Sequence, residues 1–399
     1  MNRERIISLI TALAVVLASL SIFKIVESSR NDRDHIKIGF VYDGDESTPY
    51  TYNFIRAQNA IKDEYGDRVS VEVKSNVPED ASEKSIIELI DAGCDLIFTA
   101  SYGYGEAAKK LAEKHPEIEF CQATHNNANE EPVLANYHTF MGEIYQGRYT
   151  AGVVAGMKLK ELLDQGKIRP SEAKIGYVGA YPYAEVISGY TSFFLGVRSV
   201  VPDAVMEVMY TNSWSDYSTE KEYAEKMIKD GCIIISQHSD TIGPAVACES
   251  ARVDHPVFHV GYNQSMQDVA PTTSLVSTRI NWKPYMLAAV EAVLSGEKIE
   301  AGMSGHIHGQ DVGAGFEKDW VQMLELNSLI CAEGTKEAVD ATIEDLKSHK
   351  IEVFKGNYTG TDPFDPTDTI DLSKGYEENK NYSAPSFHWV LDGVIKVVE

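Results

Sequence analysis

Apolar residues recur along this chain in two rhythms, short runs and helical faces, and the alternation of the two occurs twice. Residues 36–42 form an apolar-rich run that predicts a strand, and a polar loop, 43–51, follows it. Phe54, Ala57, Ile61 and Tyr65 then recur at helical spacing on one face. Residues 69–73 alternate apolar and polar and predict a second strand. Ser82 predicts the N-cap of a helix carrying Ile86, Ile87, Leu89 and Ile90, which Gly93 ends. A strand over 95–99 opens into Ser101-Tyr102-Gly103-Tyr104-Gly105. A helix bearing Ala108, Leu111 and Ala112 and a strand over 117–121 complete the unit.

The same grammar returns further along. A strand over 174–178 leads to Tyr181-Pro182-Tyr183, then to a helix with Val186, Tyr190, Phe193, Phe194 and Val197. A strand over 204–210 leads to Asn212-Ser213-Trp214-Ser215-Asp216, and the helix after it ends at Gly231. A strand over 232–236 opens into Gln237-His238-Ser239-Asp240. Landmarks repeat in order: Lys37-Ile38-Gly39 with Lys174-Ile175-Gly176, Gly93-Cys94 with Gly231-Cys232, His115-Pro116 with His255-Pro256. Their offset is nearly constant, so the chain carries two copies of one βα design, each too large for a solenoid repeat.

Alternating strands and helices imply parallel sheets with right-handed crossovers. The fold class is therefore α/β, with two similar open-sheet lobes and a cleft between them. In open α/β sheets ligands bind beyond the carboxyl ends of the strands, where the polar-aromatic loops lie. A helix over 145–163 links the repeats, and Gly152 and Gly156 on one of its faces permit close packing. The expected division is residues 36–143 plus about 263–279 as lobe 1, and 144–262 plus about 280–355 as lobe 2 with return helices. Residues 356–399 read as an irregular surface extension.

Residues 1–30 stand apart. Arg3 and Arg5 precede an uncharged run over 6–23, which as a helix spans roughly 27 Å at ~1.5 Å per residue. Basic residues before an apolar run predict a signal peptide or membrane anchor, with the remainder exported. Ala18, Ser19 and Ser21 permit cleavage, which leaves anchored and secreted forms both open. No cysteine lies in or just after the run to be acylated.

Charge narrows the partners. The formal net charge of −24 disfavours nucleic acid, whose phosphates need Lys/Arg stripes. It equally disfavours electrostatic attachment to anionic lipid, so the N-terminal segment is the expected membrane contact. The five cysteines form no C-x-x-C pair. No phosphate loop, nucleophile elbow or zinc helix occurs, so neither catalytic residues nor a cofactor is expected. His306-Ile307-His308 has metal-ligand spacing but no evident third ligand.

Several motifs together carry a family likeness. They are residues 42–58, Ser101-Tyr102-Gly103-Tyr104, Gly142-Glu143-Ile144-Tyr145-Gln146-Gly147-Arg148-Tyr149, Trp214-Ser215-Asp216, Gln237-His238-Ser239-Asp240, Gly261-Tyr262 and Ser277-Thr278-Arg279-Ile280-Asn281-Trp282. Across residues 36–355 the chain resembles the basic membrane protein family, substrate-binding proteins of ABC importers. The resemblance implies a type I periplasmic-binding-protein fold, with two Rossmann-like lobes and three crossovers. It also implies lobes that close on a purine nucleoside or nucleobase, and an ABC permease as partner. Members are usually lipoproteins, and here the chain departs.

A flat heterocycle is held by stacking and a few fixed hydrogen bonds. Trp214 is the first candidate wall, with Tyr50 and Tyr102 from the opposite lobe and Tyr181 beside it. Asp240 and Asp216 offer carboxylates from the second lobe, although each precedes a helix that it could cap. Asp45 and Asn53 offer similar chemistry from the first lobe. Gln237, Ser239, Asn263 and Ser101 add donors and acceptors, and Trp282 either meets the ligand or braces the hinge. Two rivals remain: a ligand-sensing surface protein without transport, and a nucleoside-cleaving enzyme using Asp240 or His238.

Overall fold

The computed structural model describes residues 32–253 and 256–398. The segment read as signal peptide or anchor, and His255 of the repeat landmarks, lie outside them. Among the described residues no helix is long and apolar enough to cross a membrane.

The first repeat runs β1 (Ile36–Val41), α1 (Pro49–Tyr65), β2 (Val69–Lys74), α2 (Ser82–Asp91), β3 (Leu96–Thr99), α3 (Gly105–Lys114), β4 (Glu119–Ala123) and β5 (Tyr137–Gly142). Helix α4 (Ile144–Asp164) leads to the second: β6 (Lys174–Gly179), α5 (Ala184–Val200), β7 (Val205–Tyr210), α6 (Tyr217–Lys229), β8 (Ile234–His238), α7 (Gly243–Ala251) and β9 (Phe258–Tyr262). The chain then returns through β10 (Ser274–Ile280), α8 (Lys283–Ser295), β11 (His306–His308), β12 (Asp311–Ala314), β13 (Val321–Met323) and α9 (Thr335–Lys347). Gly93 and Gly231 do close their helices, at φ of 78° and 90°, a conformation that costs glycine little. Ser82 is not a cap: it is the first residue of α2, and its hydroxyl donates to the Glu79 carbonyl at 2.8 Å.

Two seven-stranded sheets result. Lobe 1 has the order β11-β12-β5-β4-β3-β1-β2. Lobe 2 has the order β13-β10-β9-β8-β6-β7, with β17 (Ile395–Val397) from the far C-terminus added beyond β7. Pairing is parallel except at the short edges β11–β12 and β10–β13. The expected lobe assignment of the return segments is inverted. β10 pairs with β9, so residues 263–279 belong to lobe 2. Helix α8 and β12 belong to lobe 1, where Trp282 stacks on Phe54 at 4.3 Å and Tyr285 on Phe140 at 3.8 Å. A periodic pattern shows that a strand exists; its neighbour is chosen by which sheet edge remains uncovered.

Three crossovers join the lobes: β5 to α4, β10 to α8, and β12 to β13. The first depends on close helix packing. A Cβ on Gly152 would stand 2.0 Å from the Phe193 carbonyl oxygen, and one on Gly196 2.1 Å from that of Tyr149. Helices α4 and α5 therefore touch backbone to backbone, as the small residues of α4 lead one to expect. Gly152→Ala should force them apart and lower stability by about 1–2 kcal/mol, read as a lower denaturant midpoint.

The extension is more ordered than its composition suggests. β14 (Thr359–Thr361), β15 (Thr369–Asp371) and β16 (Val390–Leu391) form a small antiparallel sheet. Phe387 stacks on Phe354 at 4.6 Å and meets Tyr376 and Trp389 edge-on at 5.4 Å. Proline, glycine and acidic residues hide the apolar pattern here, because the core consists of isolated aromatics rather than a periodic face.

Candidate functional site

Every parallel strand of the two lobes points its carboxyl end toward the cleft. Asp43 follows β1, Ser101 and Tyr102 follow β3, and Thr124 follows β4. Glu185 follows β6, Trp214 follows β7, His238 ends β8 with Asp240 just beyond it, and Tyr262 ends β9. With Tyr50 from α1, these residues line about 330 Å³ of space, part of it open solvent, between lobes whose walls nearly meet. Nothing in one repeat builds this site; it requires both.

The walls are aromatic. Tyr50 is half-buried and donates its hydroxyl to the Ala100 carbonyl at 2.7 Å, which fixes its ring. Tyr102 lies face-on to His125 at 4.9 Å and reaches across the cleft to Tyr183 at 5.8 Å. Trp214 packs edge-on to Tyr181 at 5.4 Å. Tyr262 lies 4.6 Å from the His238 ring, which α5 can approach because Gly189 has no Cβ to strike it.

The polar groups among these walls are incompletely paired. Thr124 Oγ1, both ring nitrogens of His238 and the Tyr262 hydroxyl are buried without a hydrogen-bond partner among the described residues. His238 Nε2 lies 3.5 Å from Glu185 Oε1, at the limit of a hydrogen bond. Buried polar groups are almost always paired, so several unpaired on one cavity wall mark a surface shaped for something polar. Thr124 is also held at a φ of 64°, which strains a β-branched residue. Backbone strain of this kind collects at binding sites.

Among the described residues three carboxyl groups face the cavity, and no lysine or arginine does. Burial raises the Asp43 carboxyl to about 6, opposed by the bond from Thr51 and reinforced by Glu79. Asp240 is pushed well above the ordinary carboxylate range by burial, then by Asp43 and Glu220. Its Oδ1 accepts from Asn263 Nδ2 at 3.0 Å. Burial lowers the His238 pKa, which favours the neutral imidazole, a ring with one nitrogen to donate and one to accept. Arg148 lies behind the wall, its guanidinium donating to the Tyr177 hydroxyl at 2.6 Å and to Ser236 Oγ at 2.8 Å. The cleft thus rejects anions and suits a neutral or cationic ring.

The structure brings together Tyr50, Ser101, Tyr102, Trp214 and Asp240 of the expected residues. Tyr181 stands one layer back, against Trp214 and, at 4.9 Å, Tyr183. The others have different work. Asp45 folds back on Ser47 N and Oγ and accepts from Asn76 Nδ2. Asp216 caps α6, accepting from Thr219 N at 3.1 Å. Gln237 donates to the Ser239 and Thr241 carbonyls, and Ser239 donates to Glu220 at 2.8 Å. Asn53 donates to the Asn263 carbonyl at 2.9 Å, so this pair ties lobe to lobe instead of lining the cavity. Trp282 is buried in the lobe 1 core. Sequence reasoning missed Asp43, Thr124, Glu185 and Tyr262 as lining residues. Asp43, Thr124 and Tyr262 had a signal, since each follows or ends a strand.

His306, of the spaced histidine pair, bonds Glu143 Oε1 through Nδ1 at 2.5 Å. Among the described residues the metal-type group is Asp362, Asp368 and His388 in the extension. It is tied internally, by His388 Nε2 to Asp368 at 3.0 Å and Trp389 Nε1 to Asp368 at 2.8 Å.

Known proteins resemble this one over most of its length. A purine-binding protein of Brucella abortus is 29% identical over 344 residues, 86% of this chain and 89% of its own. A putative ABC transporter glucose-binding protein of Haloferax volcanii is 28% identical over 302 residues, 76% and 69% respectively. Among solved structures, an ABC transporter solute-binding protein of Conexibacter woesei superposes with a TM-score of 0.59 at 16% identity, covering 79% of this chain and 97% of its own. That likeness shows the fold, the type I periplasmic-binding-protein architecture. The family description "ABC transporter substrate-binding protein PnrA-like" matches residues 36–353, both lobes and all three crossovers. On that match the chain belongs to the Bmp family of ABC transporter substrate-binding proteins.

Proposed function

We propose that this protein binds a purine, as base or nucleoside, in the cleft between its lobes and delivers it to an ABC permease. Substrate-binding proteins of ABC importers work outside the cytoplasm, and residues 1–30 would export or anchor this one. The unpaired polar groups of Thr124, His238 and Tyr262, set among aromatic walls, carry the reading. A purine edge alternates donors and acceptors around a flat ring, and neutral His238 with the Asp43 and Asp240 carboxyls matches such an edge. The Brucella relative's description as purine-binding agrees with it. The Haloferax relative's description makes glucose the alternative.

Calorimetric titration of protein refolded to strip carried-over ligand tests this. Adenine, adenosine, guanosine, inosine and glucose are the probes. Binding of a purine without release of free base is expected; glucose binding with silence from every purine would overturn the reading. Trp214→Ala should weaken purine binding at least tenfold, about 1.4 kcal/mol. An unchanged affinity would take Trp214 out of the site.

A further inference from the structure

The cleft continues past the inner cavity. A second chamber of about 940 Å³, part of it open solvent, adjoins it, and Tyr102, Thr124 and Glu185 line both spaces. Its far wall is the C-terminal extension, which contributes Asp362, Phe364, Tyr382, Ser386 and His388. The extension lies beyond the residues that match the family.

This wall is fixed to both lobes. Ser383 donates its backbone N–H and its hydroxyl to Asp311 of lobe 1, the hydroxyl at 2.7 Å. Glu378 accepts from Ser188 Oγ of lobe 2 at 2.8 Å and from the Phe387 amide at 3.2 Å. Asp311 and Glu378 are both buried. Burying a carboxyl is costly unless hydrogen bonds compensate it, and here the bonds between extension and lobes do so. β17 adds a further tie by pairing in parallel with β7. The loop that carries the chamber wall is therefore part of the folded body.

We propose that the extension is a wall of the ligand site, and that the outer chamber takes a hydroxylated substituent on the purine, the sugar of a nucleoside. This rests on the purine reading. The inner walls stand close enough to clasp a flat ring, so a bulky substituent must leave past Tyr102 and Glu185, and that path opens into the outer chamber. There Asp362 and Glu185 offer carboxylates and Tyr382 a hydroxyl, acceptors and a donor for a sugar's hydroxyls. Among the described residues no lysine or arginine lines the chamber, and the Asp362 and Glu185 carboxylates would repel a phosphate. That repulsion disfavours nucleotides.

The test is calorimetric titration of the protein and of two variants, Asp362→Ala and Phe364→Ala, with adenine, adenosine, guanine, guanosine, hypoxanthine and inosine. The Phe364 side chain is 74% exposed, so its removal leaves the core intact, and thermal midpoints check that both variants fold. One nucleoside should bind at least tenfold more tightly than its own base. Each variant should lose about tenfold for the nucleoside and less than twofold for the base. A base that binds as tightly as its nucleoside overturns the chamber's role and leaves the purine reading standing. So does nucleoside affinity unchanged in both variants, or an equal loss for base and nucleoside. Silence toward all six probes overturns both.

Discussion

Replacing Asp240 by alanine is expected to weaken purine binding about 100-fold, about 2.7 kcal/mol, whereas Asp240→Asn should stay within about fivefold. The difference follows from the protonation state. Burial, Asp43 and Glu220 favour the neutral carboxyl, which has one oxygen to donate to a ligand while the other accepts from Asn263. An asparagine keeps one acceptor and supplies donors in the same place. Alanine removes the ligand contact and leaves the buried Asn263 amide short of a partner, which costs about 1–3 kcal/mol. Asn263 also receives the Asn53 bond from lobe 1, so its displacement loosens the closed form. Equal losses in the two variants would show that the ligand uses an ionised carboxylate. No loss in either would remove Asp240 from the site.

Asp43→Asn is expected to stabilise the ligand-free protein by up to about 3 kcal/mol at pH 7.5 while weakening ligand binding. Asp43 titrates at about 6 when folded, against about 3.9 for an unperturbed carboxyl. A folded pKa above the unfolded one favours the folded state below about pH 4. That contribution is lost as pH rises toward about 6 and stays lost above it. Two units at ~1.4 kcal/mol each give the ceiling. An asparagine carries no charge to desolvate and can still accept from Thr51. Urea denaturation at pH 4 and pH 7.5 reads the effect: the variant should match the native protein at the lower pH and exceed it at the higher. Equal stability at both would mean that solvent reaches the Asp43 carboxylate freely.

Much of the site was legible because position in the fold follows from local rhythm. The apolar runs end where the polar-aromatic loops begin, and that alone put Tyr102, Trp214 and Asp240 at the cleft. Within a loop the same logic fails. Asp43 and Asp45 are two residues apart in one polar stretch, yet Asp43 faces the cavity while Asp45 closes a turn on Ser47. Asp216 and Asp240 both precede helices; one caps its helix and the other bonds across to Asn263. Such choices depend on the path of the turn and on the neighbour waiting there, and neither is periodic.

The repeat, the α/β alternation, the glycine-ended helices and the side of each sheet that carries the site can all be read from spacing along the chain. Those features rest on interactions between residues close in the chain, and spacing reports them directly. The tertiary structure alone decided that β10 joins lobe 2, that Asn53 and Asn263 latch the lobes, and that the extension walls the cleft. Each of these joins residues far apart in the chain. Their partners are set by which buried edges and carboxyl groups remain unsatisfied once the lobes have formed, and that is a property of the packed molecule.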